Sequence, residues 1–297
     1  MNIKLWLSAF RLRTLPLALS SIGMGAFLAA AQGKFDFLIF SLCCLTTILL
    51  QILSNLANDY GDTIHGADHA GRRGPSRAVQ TGAITAESMK RAIIIFVVLS
   101  LGGGIALLLN SFGLDARLLI TFFGLGLLSI AAAILYTAGS KPYGYAGLGD
   151  LSVLIFFGLV GVMGSLFLFT KTIEWRSLLP ALACGFFAVG VLNINNIRDI
   201  ESDRQAGKFS IPVRIGKKKA GYYHWVLSVG GLLAASGYAL SDYESPYQFL
   251  FLLSLPLFFS ISKSINEKPS EQLDPYLKRM ALTTLLFVLL FGVGQLL

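Results

Sequence analysis

The sequence predicts an all-α, polytopic membrane protein with nine transmembrane helices. Three observations carry that prediction. The 297 residues are 55% hydrophobic and only 13% charged, against roughly 25% charged residues in an ordinary soluble domain. The apolar residues gather into nine runs, each close to the roughly 20 residues a helix needs to cross the hydrocarbon core. Lys and Arg are also sorted between the connections, 20 of the 24 falling on one side, as expected for cytoplasmic loops.

Taken in order, the expected spans are 14–32, 37–57, 91–110, 117–137, 150–170, 178–197, 222–240, 247–263 and 279–297. The first follows Lys4, Arg11 and Arg13, but no small-residue cleavage site and polar mature segment come after it. It therefore reads as a retained span rather than a signal peptide. The eighth is the shortest and contains Pro256. With the N-terminus inside, only Lys34, Arg117, Lys171 and Arg176 face the other side, and one missed helix would invert every later loop. The net charge of +8 is thus a topology signal, not a sign of nucleic-acid binding. It also draws anionic substrates to the basic face, where Lys217, Lys218 and Lys219 suit anchoring near anionic lipid. Cys43, Cys44 and Cys184 lie inside apolar runs and read as packing residues. His65, His69 and His224 have no ligand spacing, so no zinc site is expected.

The chain reads as one domain over 1–297, with two long polar connections on the inside face, 58–90 and 198–221. Long loops in compact architectures are usually functional or disordered. The second span runs into Asn55, Asn58, Asp59 and Asp62, with Asp68 further on; the sixth runs into Asn195, Asn196, Asp199 and Asp203. If the helices continue, steps of three and four residues place Asn55, Asp59 and Asp62 on one stripe and Asn195, Asp199 and Asp203 on another. Asn and Asp are common at solvated helix ends. Here both clusters stand at inner ends of spans and open the two long connections, which favours a site. Carboxylates repel a diphosphate unless Mg²⁺ lies between them, and that metal takes oxygen ligands from carboxylates, phosphates and water. Arg72, Arg73 and Arg77 in one connection, and Arg198, Arg204 and Lys208 in the other, supply cations for the same anion. The turn-rich segment 140–150 places Lys141, Tyr143 and Tyr145 at an inside-face mouth, suited to gripping an aromatic acid. Phe156, Phe157, Phe186 and Phe187 are candidates to line a channel for an apolar tail, or to pack between helices.

These motifs resemble those of the UbiA superfamily of intramembrane prenyltransferases. The family's first motif has the form Asn-Asp-x-x-Asp-x-x-x-Asp; Asn58, Asp59 and Asp62 match its beginning, while position 66 is Gly and the next acid is Asp68. Its second motif, Asp-x-x-x-Asp, matches Asp199 and Asp203. Further stretches are similar to the branch that prenylates 1,4-dihydroxy-2-naphthoate: Phe10 through Pro16, Arg73-Gly74-Pro75, Gln80-Thr81-Gly82, Lys141 through Tyr145 and Arg198 through Lys208. The resemblance implies nine helices around a central cavity and Mg²⁺ as cofactor. It also implies transfer of a polyprenyl chain from polyprenyl diphosphate to 1,4-dihydroxy-2-naphthoate, with loss of the carboxylate, giving demethylmenaquinone. The expected setting is the lipid bilayer of a bacterial cytoplasmic (inner) membrane, with a cytoplasmic N-terminus.

The candidate site follows. Asp59, Asp62, Asp199 and Asp203 are the catalytic acids, and with Asn58 and Asn195 they form the metal ligands. Arg72, Arg77, Lys141, Tyr143, Arg198 and Lys208 are the substrate contacts. Other acceptors, such as 4-hydroxybenzoate or homogentisate, fit the same chemistry. A cation-coupled transporter would instead place its ionisable residues near mid-span.

Overall fold

The computed structural model describes residues 3–66 and 77–297, and every regular element among them is a helix. A short α1 (Ile3–Phe10) and a 3₁₀ turn lead into α2 (Leu15–Ala31). Next come α3 (Phe37–Ile64), α4 (Ala86–Phe112) and α5 (Ala116–Leu135). Each of these three starts at a side-chain oxygen that accepts a first-turn amide: Asp36 from Ile39 at 2.9 Å, Thr85 from Ser88 at 3.2 Å, Asp115 from Leu118 at 3.1 Å. Such caps satisfy N–H groups that have no partner within the helix. The continuous stretch Gly149–Thr170, here α6, is followed by α7 (Leu178–Arg198), the short α8 (Ile200–Gln205) and α9 (Ile211–Ser241). A 3₁₀ segment (Pro246–Ser254), α10 (Leu255–Glu267) and α11 (Asp274–Leu296) complete the described chain.

Eight stretches among the described residues are long and apolar enough to cross a membrane, and they match eight of the nine expected spans to within two residues at the ends that overrun. The remaining one, the seventh (222–240), lies in α9, a 31-residue helix with non-helical backbone at Gly216. Its hydropathy is diluted by residues such as His224 and Ser228, both buried. These are tolerated because α9 packs more extensively on α7 than any other two elements pack together, so its polar side chains meet protein rather than lipid. The helix bounds also sharpen two expectations. α3 continues to Ile64, so the first acidic motif is helical and the connection after it starts at His65 rather than at residue 58. Pro256 does interrupt the eighth span, standing in the middle of Pro246–Glu267 where the 3₁₀ segment gives way to the α-helix. It stands at the start of α10, where its missing N–H would have no helical partner anyway.

α6 has an unusual centre. Its residues Leu154–Gly164 are π-helical, a conformation concentrated at functional sites. Small residues let neighbours approach it closely: a β-carbon at Gly158 would stand 2.8 Å from the Ala181 carbonyl oxygen and 3.1 Å from the Gly185 α-carbon of α7. In lipid, such small-residue contacts substitute for the hydrophobic drive that holds soluble helices together. The densest aromatic packing is elsewhere: Phe187 of α7 stacks on Phe258 at 4.3 Å and meets Phe287 edge-on at 4.9 Å. Phe187 is therefore a core residue, not part of a channel wall.

Gly158→Val is expected to lower the thermal midpoint of the detergent-solubilised protein, because overpacking a tight contact costs about 1–3 kcal/mol. Gly102→Ala, where an added β-carbon meets nothing within 4 Å, should leave it unchanged or slightly raised. Equal losses in both would mean that the α6–α7 contact is looser than it stands here.

Candidate active site

The last turns of α3 carry the first motif. Asp59 and Asp62 are buried, and each finds a partner from the connection that follows. Asp62 Oδ2 accepts from Arg77 Nη1 at 2.7 Å, and the same nitrogen donates to the Asn58 carbonyl at 2.7 Å. Asp59 Oδ1 accepts from the Val79 amide at 3.4 Å. Asn58 Oδ1 accepts from the Thr137 hydroxyl at 3.0 Å, just past the end of α5. That contact is close because of Gly61: a β-carbon there would lie 2.5 Å from the Thr137 carbonyl oxygen. Asn55, on the same stripe, is used differently. Its amide donates to the Phe10 carbonyl at 2.9 Å and the Thr14 hydroxyl at 3.1 Å, tying the start of the chain to α3.

The second motif straddles the junction of α7 and α8. Helical i to i+4 hydrogen bonds persist through it, Asp199 N–H to the Asn195 carbonyl at 3.1 Å and Asp203 N–H to the Asp199 carbonyl at 2.8 Å. The stripe expected from the spacing is therefore present. Arg198, buried, forks onto Asp199 through Nε at 2.8 Å and Nη2 at 2.6 Å. It also donates to Asn195 Oδ1 at 2.9 Å and to Asp274 at 2.5 Å, and Asp274 in turn accepts from Arg13 at 3.1 Å. Asp203 pairs with Lys208 at 3.5 Å.

Tyr145 joins the two motifs. Its hydroxyl donates to Asp62 Oδ1 at 2.9 Å, and the Lys208 ammonium lies 5.8 Å from its ring centroid. Its carbonyl accepts from the Phe209 amide at 2.9 Å. The approach requires glycine at 147, where φ is +81° and a β-carbon would stand 2.5 Å from the Phe209 carbonyl oxygen. Burial by itself pulls the Lys208 ammonium pKa down, but Asp203 and Asp62 more than reverse this and hold it above the ordinary lysine value. All four motif aspartates are between 2% and 4% exposed, so each needs such a counter-charge or donor to stay ionised.

A cavity of ≈ 390 Å³ lies beside this cluster, sharing Asn58 with it, between α2, α3, α4, α5 and α6. Asn55, Asn58, Tyr136, Tyr143 and Ser152 line its polar end, and Tyr136 lies within electrostatic reach of Lys208 and Asp62. Beyond them the wall is mainly apolar, with Phe156 and Phe157 of the π-helical segment facing in and hydroxyls such as those of Thr46, Ser100 and Ser165 scattered along it. The Tyr143 hydroxyl meets the Ser152 hydroxyl at 2.9 Å and donates to the Ala132 carbonyl at 2.8 Å.

The structure thus gathers Asn58, Asp59, Asp62, Arg77, Asp203 and Lys208 around Tyr145. It sets Asn195, Arg198 and Asp199 in an adjoining network with Asp274. Lys141 is exposed on its loop, and among the described residues no contact ties it to the cluster. Arg72, Arg73 and Asp68 lie outside the described residues. The sequence marks Tyr145 only as a possible grip on an aromatic acid beside Lys141 and Tyr143, not as a link between the two motifs, and nothing local marks Asp274.

Among the described residues, no group of three or more Asp, Glu, His or Cys stands ready to hold a metal, and Arg77, Arg198 and Lys208 pair with Asp62, Asp199 and Asp203. The donor chemistry nevertheless fits a hard divalent cation. Both motifs offer only oxygen ligands, the preference of Mg²⁺. Asn196 Oδ1, buried beside Asp199, has no hydrogen-bond partner.

Comparison with known proteins follows the same lines. The model of the UbiA prenyltransferase family matches residues 18–293. The 1,4-dihydroxy-2-naphthoate octaprenyltransferase of Escherichia coli is 47% identical over 293 residues, covering 97% of this chain and 94% of that protein. Among solved structures, a UbiA homolog from Aeropyrum pernix superposes with a TM-score of 0.72 at 17% identity, covering 96% of this chain and 97% of that one. A UbiA homolog from Archaeoglobus fulgidus bound to DMAPP and Mg²⁺ gives 0.62 at 18% identity, with 96% and 98% covered.

Arg198→Ala removes the forked partner of a buried carboxylate and should destabilise the protein by about 3–5 kcal/mol. Arg204→Ala breaks only an exposed pair with Glu201 at 3.4 Å and should cost no more than about 0.5 kcal/mol. Chemical or thermal unfolding of the two variants side by side checks the contrast.

Proposed function

The chain belongs to the UbiA prenyltransferase family, and from that membership we propose that it transfers a polyprenyl chain from polyprenyl diphosphate to 1,4-dihydroxy-2-naphthoate, yielding diphosphate, carbon dioxide and the quinol form of demethylmenaquinone, which a separate oxidation turns into the quinone. The observation that carries this reading is the junction of an apolar slot with a buried cluster of oxygen ligands and cations. A prenyl diphosphate has that same polarity, a long apolar tail ending in a concentrated anion. The identity to the E. coli relative supports the choice of acceptor.

Asn58, Asp59 and Asp62 on one stripe, with Asn195, Asp199 and Asp203 on the other, are the proposed Mg²⁺ ligands. When bound, the metal neutralises the diphosphate and the charge that grows on it as it departs. Arg77 and Lys208, now paired with Asp62 and Asp203, are the proposed diphosphate grips, together with Arg72. Arg198 keeps Asp199 and Asn195 aligned and lends positive charge. In the transfer the allylic carbon–oxygen bond breaks with both electrons leaving on the diphosphate. A ring carbon of the acceptor, made electron-rich by its hydroxyls, forms the new carbon–carbon bond. The carboxylate departs as carbon dioxide and returns its bonding electrons to the ring, so no net proton is exchanged. The apolar walls keep water from the allylic centre while it carries positive charge. Lys141, exposed on its loop, draws the aromatic acid in, and Tyr143 and Ser152 contact the ring from the cavity wall. The protein is a multi-pass membrane protein, and the basic loops favour the cytoplasmic membrane with the site facing the cytoplasm.

Mass spectrometry of the products formed from 1,4-dihydroxy-2-naphthoate, a polyprenyl diphosphate and Mg²⁺ tests the reading. Prenylated, decarboxylated product is expected, to be lost on chelation of the metal. Asp62→Ala and Asp199→Ala should each lower turnover by at least about 100-fold while still inserting into membranes. Near-normal rates in both purified variants would remove these residues from the mechanism.

A further inference from the structure

The slot has a far end as well as a polar one. Its wall runs along α3 from Asn58 to Cys43 and along α6 from Ser152 to Leu168, so at 1.5 Å per helical residue it is about 23 Å long. With carbon–carbon bonds of about 1.5 Å, an extended isoprene unit of four chain bonds spans roughly 5 Å, and the slot holds about four to five units.

What stands at that far end is specific. Phe122 of α5 and Gly164 of α6 wall the slot and also wall a second cavity of ≈ 540 Å³, which continues to Asp115, Arg117 and Glu174. The Phe122 ring stacks on Phe167 at 5.2 Å with 17° between the planes, and Phe112 meets both edge-on at 4.9 and 6.0 Å. Gly164 keeps the passage open by having no side chain: a β-carbon there would meet only Val160 Cγ1, at 3.9 Å. We infer that the stacked pair Phe122–Phe167, with Gly164 beside it, is the gate that sets how long a prenyl tail the enzyme accepts. Tails that fit the slot end at the rings. Longer ones displace the Phe122 ring and thread into the second cavity.

This inference rests on the proposed prenyl transfer. It competes with a sideways exit, because Ile105 of α4 and Phe123 of α5 line the slot yet are 45% and 40% exposed. Purified wild type, Gly164→Leu and Phe122→Ala would be given 1,4-dihydroxy-2-naphthoate, Mg²⁺ and two-, four- or eight-unit prenyl diphosphate, and rates compared as ratios within each protein. Gly164→Leu should lower the eight-unit to two-unit ratio by about tenfold or more, the scale at which a few methylenes discriminate in an apolar pocket. Phe122→Ala should raise it, and it decides the matter if Gly164→Leu is inactive with every donor. Unchanged ratios in both variants would overturn the gate and place the tail between α4 and α5. No product from wild type with any donor would overturn the transfer reading itself, and the gate with it.

Discussion

Four carboxylates buried at a helix-bundle end cannot stay ionised without compensation, and the pairing that compensates them shapes the rest of the site. Asp62 is held from two sides by Arg77 and Tyr145, Asp203 by Lys208, and Asp199 by the fork of Arg198. Taking a charge out of water costs several kcal/mol, and a partner must be close and well aligned to offset it. Closeness is obtained by backbone approach. Gly61 lets α3 touch Thr137, and Gly147 lets the loop after α5 reach Phe209. Were either β-carbon present, Tyr145 could not span the two motifs without rearrangement. The same network holds two cations, Arg77 and Lys208, beside the proposed position of the diphosphate.

Polar and apolar functions are divided between the ends of one slot. At the polar end, helix termini supply Asn58 and Tyr136, while the wall beyond is built from the π-helical part of α6 and its neighbours. π-Helical geometry widens the helix and changes which residues face inward, and Phe156 and Phe157 face the cavity there. By contrast Phe187, on α7, is locked among Phe258 and Phe287. Phe156 and Phe157 thus face a cavity while Phe187 packs in the core, according to which helix carries them.

Both ends of the chain are drawn into the site. Asn55 bonds the Phe10 carbonyl and the Thr14 hydroxyl, and Asp274, at the start of α11, accepts from both Arg13 and Arg198. The first and last spans therefore help align the second motif, although neither carries one of its residues. Shared partners of this kind couple energetically, so substitutions at Arg13 or Asp274 act through Arg198 and Asp199.

The sequence by itself determined the membrane class, nine helical runs of which eight among the described residues are long and apolar enough to cross a membrane, the oxygen-only chemistry of the motifs and their spacing along two helices. Those properties are local: hydropathy over some 20 residues sets a span, and steps of three and four set a helical stripe. Span 222–240 was legible as a helix, but its hydropathy does not say that α7 covers it. Tertiary structure alone decided which cation faces which acid, because Arg77 with Asp62 and Arg198 with Asp274 are contacts between segments distant in sequence. It also decided that Tyr145 rather than Lys141 bridges the motifs, since only the fold of the loop tells which side chain turns inward. Asn55 shows the limit most clearly. Its place on the stripe was readable from spacing, while its use as an anchor for Phe10 and Thr14 depends on where the chain's beginning packs.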